Sequence, residues 1–323
     1  MNRRCVSYLL YSPVVLVTAL ALSGCSFSSI PNLSSLQKPS VQQAQSDSQA
    51  KLSPKVTDEN LVTPRTLTVG IKMSSTVAPF VMQADNSELC GLDIDLAYAL
   101  GDALGLKVTF VEISDVGRSL GKTCDIVLNA KSDETAVAKI VGGYAESAAA
   151  LYGKPAGTQL KVSDLSGKRV ALQKGSLSEL AYKRSGLAMA TVDCSNLNEA
   201  FDAVQSGKAD YVLCEAYAGA YMIKHAKNIA CVGTLDKPVQ TGIAVASKNQ
   251  ALQDALEKAS SNIQSNGVYQ LIRSRWVGSN VVFSADTQIK GIQTPQSQSN
   301  DASASKNKDA SDSSTAGSNA VNI

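Results

Sequence analysis

Gly91-Leu92-Asp93-Ile94-Asp95-Leu96-Ala97-Tyr98-Ala99-Leu100-Gly101-Asp102-Ala103-Leu104 is the stretch that decides the fold. Leu92, Leu96, Leu100 and Leu104 recur at helical spacing and draw one apolar stripe, which predicts a helix. Residues 67–71, 108–113 and 125–128 on either side are short and β-branched, the composition of strands. Strand, helix, strand, strand is βαβ logic. The alternation resumes downstream: strands at 169–172, 190–193, 211–215, 229–233 and 242–246, and helices at 178–183, 199–205 and 250–272. Two such series predict an α/β protein of two lobes rather than one long sheet. No internal sequence repeat accompanies them.

Outside this region the composition changes. Arg3 and Arg4 precede an apolar run at 14–22, and Leu22-Ser23-Gly24-Cys25 follows, the residue types of a lipoprotein processing site. Residues 1–24 are thus expected to be a signal peptide, with Cys25 acylated and holding the chain to the extracytoplasmic face of a membrane. Residues 25–65 are rich in Ser, Gln, Pro and Lys, and 285–323 in Ser, Asn, Asp and Gln; both are expected to be disordered, a tether and a tail around a folded unit at 66–284. A flexible tether of that length reaches roughly 35 Å.

The chain of 323 residues is 44% hydrophobic, enough for a sizeable core, and its net charge of +2 equals the contribution of Arg3 and Arg4. The part after the signal peptide is near neutral, which argues against a nucleic-acid partner and against electrostatic adhesion to membranes. His225 is the only histidine, and no Gly-rich phosphate loop or metal-spaced cluster is present, so neither a cofactor nor a metal is expected. Cys5 leaves with the signal peptide and Cys25 is acylated on this reading; Cys90, Cys124, Cys194, Cys214 and Cys231 remain, an odd number that leaves at least one thiol free or paired outside the chain.

Several segments, in order, carry a resemblance. Thr68-Val69-Gly70-Ile71, Pro79-Phe80, Gly91-Leu92-Asp93-Ile94-Asp95-Leu96, Cys124-Asp125-Ile126-Val127, the run 167–176, Ala209-Asp210-Tyr211-Val212 and Gly267-Val268-Tyr269 leading to Trp276-Val277-Gly278 resemble the extracellular solute-binding proteins, family 3, of polar amino acid ABC transporters. The resemblance covers the folded unit and neither flank. It implies a type II periplasmic-binding-protein-like fold, two α/β lobes joined by a hinge that the chain crosses twice, near Leu151 and Gly242, with lobe 1 about 66–150 and 242–284 and lobe 2 about 151–241. It also implies a monomer that captures an amino acid or similar small polar solute and delivers it to an ABC permease in the membrane. Two other readings stand beside this one: a signalling or scaffold lipoprotein with a decayed cleft, and an enzyme like the cyclohexadienyl dehydratases that share the bilobed fold.

An amino acid site must neutralise a carboxylate, accept an ammonium and exclude water. The family's carboxylate-clamping arginine has no counterpart here, because no arginine occurs between Arg118 and Arg169; Lys131 and Lys139 are the cations nearby. Candidate ligand contacts are Phe80, as platform or as core, and Asn129 and Ser132 after a strand end. Gly175 and Ser176 open a helix, as an anion site or as a plain cap. Glu215 matches the family's ammonium-binding aspartate, facing the cleft or else lying at the surface or in an ion pair. Asp93 and Asp95 read as acidic residues favoured in a first helical turn rather than as an acid–base pair.

Overall fold

The computed structural model describes residues 52–72, 78–85, 87–134, 136–155, 157–224, 226, 228–278 and 281–292. Two five-stranded sheets organise it. The first contains β1 (Thr66–Lys72), β4 (Lys107–Ile113), β5 (Ile126–Ala130), β6 (Ala138–Ser147) and β12 (Val239–Ala246) in the order β4-β1-β5-β12-β6. The second contains β7 (Ala149–Gly153), β8 (Arg169–Gln173), β9 (Ala190–Cys194), β10 (Tyr211–Glu215) and β11 (Ala230–Thr234) in the order β11-β7-β10-β8-β9. Each sheet has three parallel strands, extended through two successive antiparallel pairings by one reversed strand and an outer strand that runs with the first three. The architecture therefore repeats although the sequence does not. The chain passes between sheets at Ala148, between β6 and β7, and again at 235–238, between β11 and β12.

Helix α1 (Leu92–Leu104) follows a short hairpin of β2 (Met82–Gln83) and β3 (Leu89–Cys90), and its four-leucine stripe lies in the core. Gly91 is required before it, because a Cβ there would lie 2.2 Å from the carbonyl oxygen of Phe80. Short α2 (Val116–Ser119) leads into β5. In the second lobe α3 (Leu177–Ser185), α4 (Leu197–Gln205) and α5 (Ala216–Ile223) alternate with the strands. The long helix expected at 250–272 is two helices, α6 (Gln250–Ser265) and α7 (Val268–Val277), because Gly267 takes the left-handed conformation (φ 86°) that ends one and starts the next.

The packed chain is longer at both ends than the composition suggests. Residues 52–65 fold against lobe 1: Lys55 N–H donates to the last carbonyl of α1 at Leu104, and Val56 is buried in the core. Residues 285–292 pack on lobe 2, with Ile289 only 2% exposed. One apolar residue set into an existing notch suffices for each, and a compositional average does not register it. Cys25 and His225 lie outside the described residues. Cys90, Cys124, Cys194, Cys214 and Cys231 are unpaired. No helix of the described residues is long and apolar enough to cross a membrane.

Candidate functional site

In lobe 1 the ends of β1 and β5 and the start of α1 meet around one cavity, and in lobe 2 the end of β10 meets the start of α5. On lobe 1, Asn129 near the end of β5 takes a left-handed backbone (φ 51°) and donates its N–H to the Tyr144 hydroxyl at 2.6 Å. That hydroxyl donates in turn to Asp93 Oδ1 at 2.7 Å. Burial pushes the Asp93 carboxyl up to about 7, against the pull of the Tyr144 hydrogen bond and the charge of Lys72. Lys72 closes β1 and is ion-paired with Glu134. Lys72 and Asp93 line a cavity of about 20 Å³ with Gly70, Leu128 and Asn129, room for a water molecule.

On lobe 2, Glu215 ends β10 and caps α5, its Oε2 accepting the Ala218 N–H at 3.0 Å. Its other oxygen, Oε1, is buried with no hydrogen-bond partner. Burial raises the Glu215 carboxyl to about 7; the first N–H groups of α5 and the charge of Lys131 oppose the rise. Lys131 stands on the turn after β5, so its charge acts on Glu215 from lobe 1 without an ion pair between them. Ser132 is exposed on the same turn. Lys139, the other candidate cation, is paired with Glu257 at 3.3 Å on the outer surface of lobe 1.

The remaining candidates have partners within the chain. Phe80 is buried, and one face of its ring stacks on Tyr217 of α5 with centroids 5.2 Å apart. Ser176 caps α3 by accepting the Glu179 N–H at 3.1 Å, while Glu179 returns its carboxylate to the Gly175 N–H at 2.5 Å. The anion at this helix start is the chain's own. Asp93 and Asp95 do not cap α1, whose first turn is preceded by Gly91; Asp95 instead accepts the Trp276 indole N–H at 2.8 Å and tethers α7. Arg273 lies 5.9 Å from the Tyr217 ring and donates to the carbonyls of Gly278 and Val281. Sequence reasoning missed Lys72, Tyr144 and Tyr217: only the strand end at Lys72 signals a position, and nothing in the local pattern marks the tyrosines. Among the described residues no cluster of three or more His, Cys, Asp or Glu side chains is placed to hold a metal.

Comparison with known proteins places this geometry. No protein-family model matches the chain. The ABC transporter arginine-binding protein 1 of Escherichia coli K12 is 27% identical over 222 residues, 64% of this chain and 90% of that protein. The L-cystine-binding protein TcyJ of the same organism is 26% identical over 230 residues, 67% and 84% respectively. Among solved structures, an ancestral cationic amino acid solute-binding protein, AncCDT-1, is 26% identical and superposes with a TM-score of 0.56 over 66% of this chain and 95% of its own. A polar amino acid ABC uptake transporter substrate-binding protein from Streptococcus thermophilus, 18% identical, gives 0.60 over 72% and 93% and shares the fold. The chain has the bilobed type II periplasmic-binding-protein fold. It is a homologue of the arginine- and cystine-binding proteins of ABC transporters, as its ordered sequence segments imply.

Proposed function

We propose that this chain is the solute-capturing lipoprotein of an ABC importer, binding an amino acid or similar small polar solute between its lobes and delivering it to a membrane permease. The observation that carries the reading is Glu215 Oε1, a buried carboxylate oxygen without a partner at the lobe interface, opposite the cation of Lys131. An unmet acceptor in that position is costly unless a ligand donor completes it. A zwitterion fits: its ammonium donates to Glu215, and its carboxylate turns toward Lys131 and Asn129. Lysine is a point charge where relatives in the family use a forked guanidinium, so recognition of the carboxylate end is looser. The homologues, named for arginine and cystine, support the solute class. Binding requires no catalysis and no cofactor, and a monomer suffices.

A thermal-shift screen against free amino acids, cystine, amines and small peptides tests the solute class. A true ligand at about a hundred times its dissociation constant stabilises by about 2.7 kcal/mol. Glu215→Gln then weakens an ammonium-bearing ligand by about 1.5–3 kcal/mol in calorimetry, and a neutral analogue by much less. Equal losses for both ligands remove Glu215 from the site. A second reading, a ligand-poor scaffold lipoprotein, draws support from the burial of Phe80, one ring face of which is taken by Tyr217; no shift with any solute favours it.

The export part of the proposal rests on Cys25 and the apolar run before it. Cys25→Ala is expected to move the protein from the membrane pellet to the soluble fraction. Retention in the pellet after a carbonate wash would make the N-terminal segment a signal anchor instead.

A further inference from the structure

We propose that residues 281–292 form a strap that fastens lobe 1 to lobe 2, a third link beside the two hinge crossings, and that it limits how far the cleft opens. Its two ends belong to different lobes. The start follows α7, which is held to lobe 1 by the Trp276 indole N–H on Asp95 at 2.8 Å, by Arg275 on the same carboxylate at 3.3 Å, and by packing on α1 and α6. The far end is built into lobe 2. Ile289 enters the apolar cluster of Leu160, Leu165 and Leu235, and it sits so close to Gly233 that a Cβ at that glycine would lie 2.6 Å from its Cγ1.

Hydrogen bonds fix the same end along its length. Ile289 N–H donates to Thr234 O at 2.9 Å, and Val162 N–H to Lys290 O at 3.0 Å. The Gln159 amide donates to the carbonyls of Asp286 (2.7 Å) and Gln288 (3.0 Å), and the Gln288 amide to Leu235 O (3.2 Å). Between the ends, Phe283 is buried with its ring 5.6 Å from that of Tyr217, which also stacks on Phe80 and donates its hydroxyl to Glu146 at 2.9 Å. Phe80 and Glu146 belong to lobe 1, and Tyr217 to lobe 2. Lobes that move apart must therefore part the Phe80–Tyr217 stack, and the strap resists because Phe283 backs Tyr217 while Ile289 anchors the chain behind it. A disordered tail would make none of these contacts, and a tail that merely packed on one lobe would not touch both.

Hydrogen exchange on the full chain without solute tests the strap, and its outcome is independent of whether the cleft binds anything. Ile289→Asp, and Gly233→Val, which fills the notch and leaves the strap sequence intact, are each expected to accelerate exchange about tenfold in peptides holding Phe80, Tyr144 and 216–218, while the strands β1 and β8 stay protected. Acceleration confined to 281–292 and β11 would overturn the proposal and leave the segment a packing tail. If either variant also loosens β8, Ile289→Ala is read in the same peptides: seam amides faster than those of β8 uphold the strap, and equal change in both overturns it.

Discussion

Asp125 and Asp210 stand at the same place in the two lobes and do the same thing in different surroundings. Each precedes the third parallel strand of its sheet and accepts a backbone N–H from the first, Asp125 from Thr68 at 2.7 Å and Asp210 from Arg169 at 2.8 Å. Asp125 is 3% exposed and takes a second N–H from Val62 at 2.7 Å; Asp210 takes the Arg169 side chain at 3.3 Å at the surface. Their acidities diverge accordingly. Burial raises the Asp125 carboxyl, whereas the Arg169 N–H, more than any other influence, lowers that of Asp210. One backbone device serves both sheets, and what differs is cover: the segment before β1 closes over Asp125, and solvent reaches Asp210.

The helices show the same contrast. In α1 Leu92, Leu96, Leu100 and Leu104 are all buried, because α6 and α7 cover the helix from outside. In α3 only Ser178 is buried, and Leu177 is 84% exposed. Lobe 1 gains its extra layer from the C-terminal end of the chain, and lobe 2 receives only the strap.

This asymmetry can be broken by substitution. Asp125→Ala strands one buried and one part-buried backbone N–H and is expected to cost about 2–6 kcal/mol in urea unfolding, at about 1–3 kcal/mol for each unsatisfied group. Asp210→Ala removes a surface contact and is expected to cost under about 1 kcal/mol. Equal losses would mean that cover is irrelevant and that the two strand ends contribute alike.

A smaller effect sharpens the comparison through pH. Asp93 in lobe 1 and Glu215 in lobe 2 are both raised to about 7, well above unfolded values near 4. From about pH 4 to pH 7 the folded chain therefore holds more protons than the unfolded one. Stability is then highest at the acid end of this window and falls as pH rises through 7, by at most about 1.4 kcal/mol per pH unit for each group. Asp93→Asn and Glu215→Gln should each remove one such slope from urea midpoints measured between pH 5 and 8. A wild-type profile that is flat, or that rises with pH, would show that neither carboxyl is raised.

Much of the fold was legible. The stripe of α1 and most strands were marked by local periodicity, since each such segment buries one face and its apolar spacing records which. β6 and β7 were not. Gly142 and Gly143, at a register shift in β6, and Ala149 and Ala150 at the start of β7 carry little strand preference, and both strands form because neighbouring strands pair with the residues around them. Tyr144 was hidden for the same reason, and with it the partner of Asp93. At the site, Glu215 was legible as a carboxylate at a strand end. Whether Gly175 and Ser176 faced a ligand was not, because that depended on Glu179 folding back onto them.

The sequence by itself determined the α/β alternation, the two series of elements and the want of an arginine after β5, because these are written in spacing and in residue type. Only the tertiary structure decided which distant groups act on one another. Lys131 rather than Lys139 stands near Glu215, Phe80 turns to Tyr217, and Ile289 seats in lobe 2, because each of these depends on elements far apart in the chain arriving at one point. A pattern read along the chain contains faces and periods, but not the closing of distant surfaces on one another.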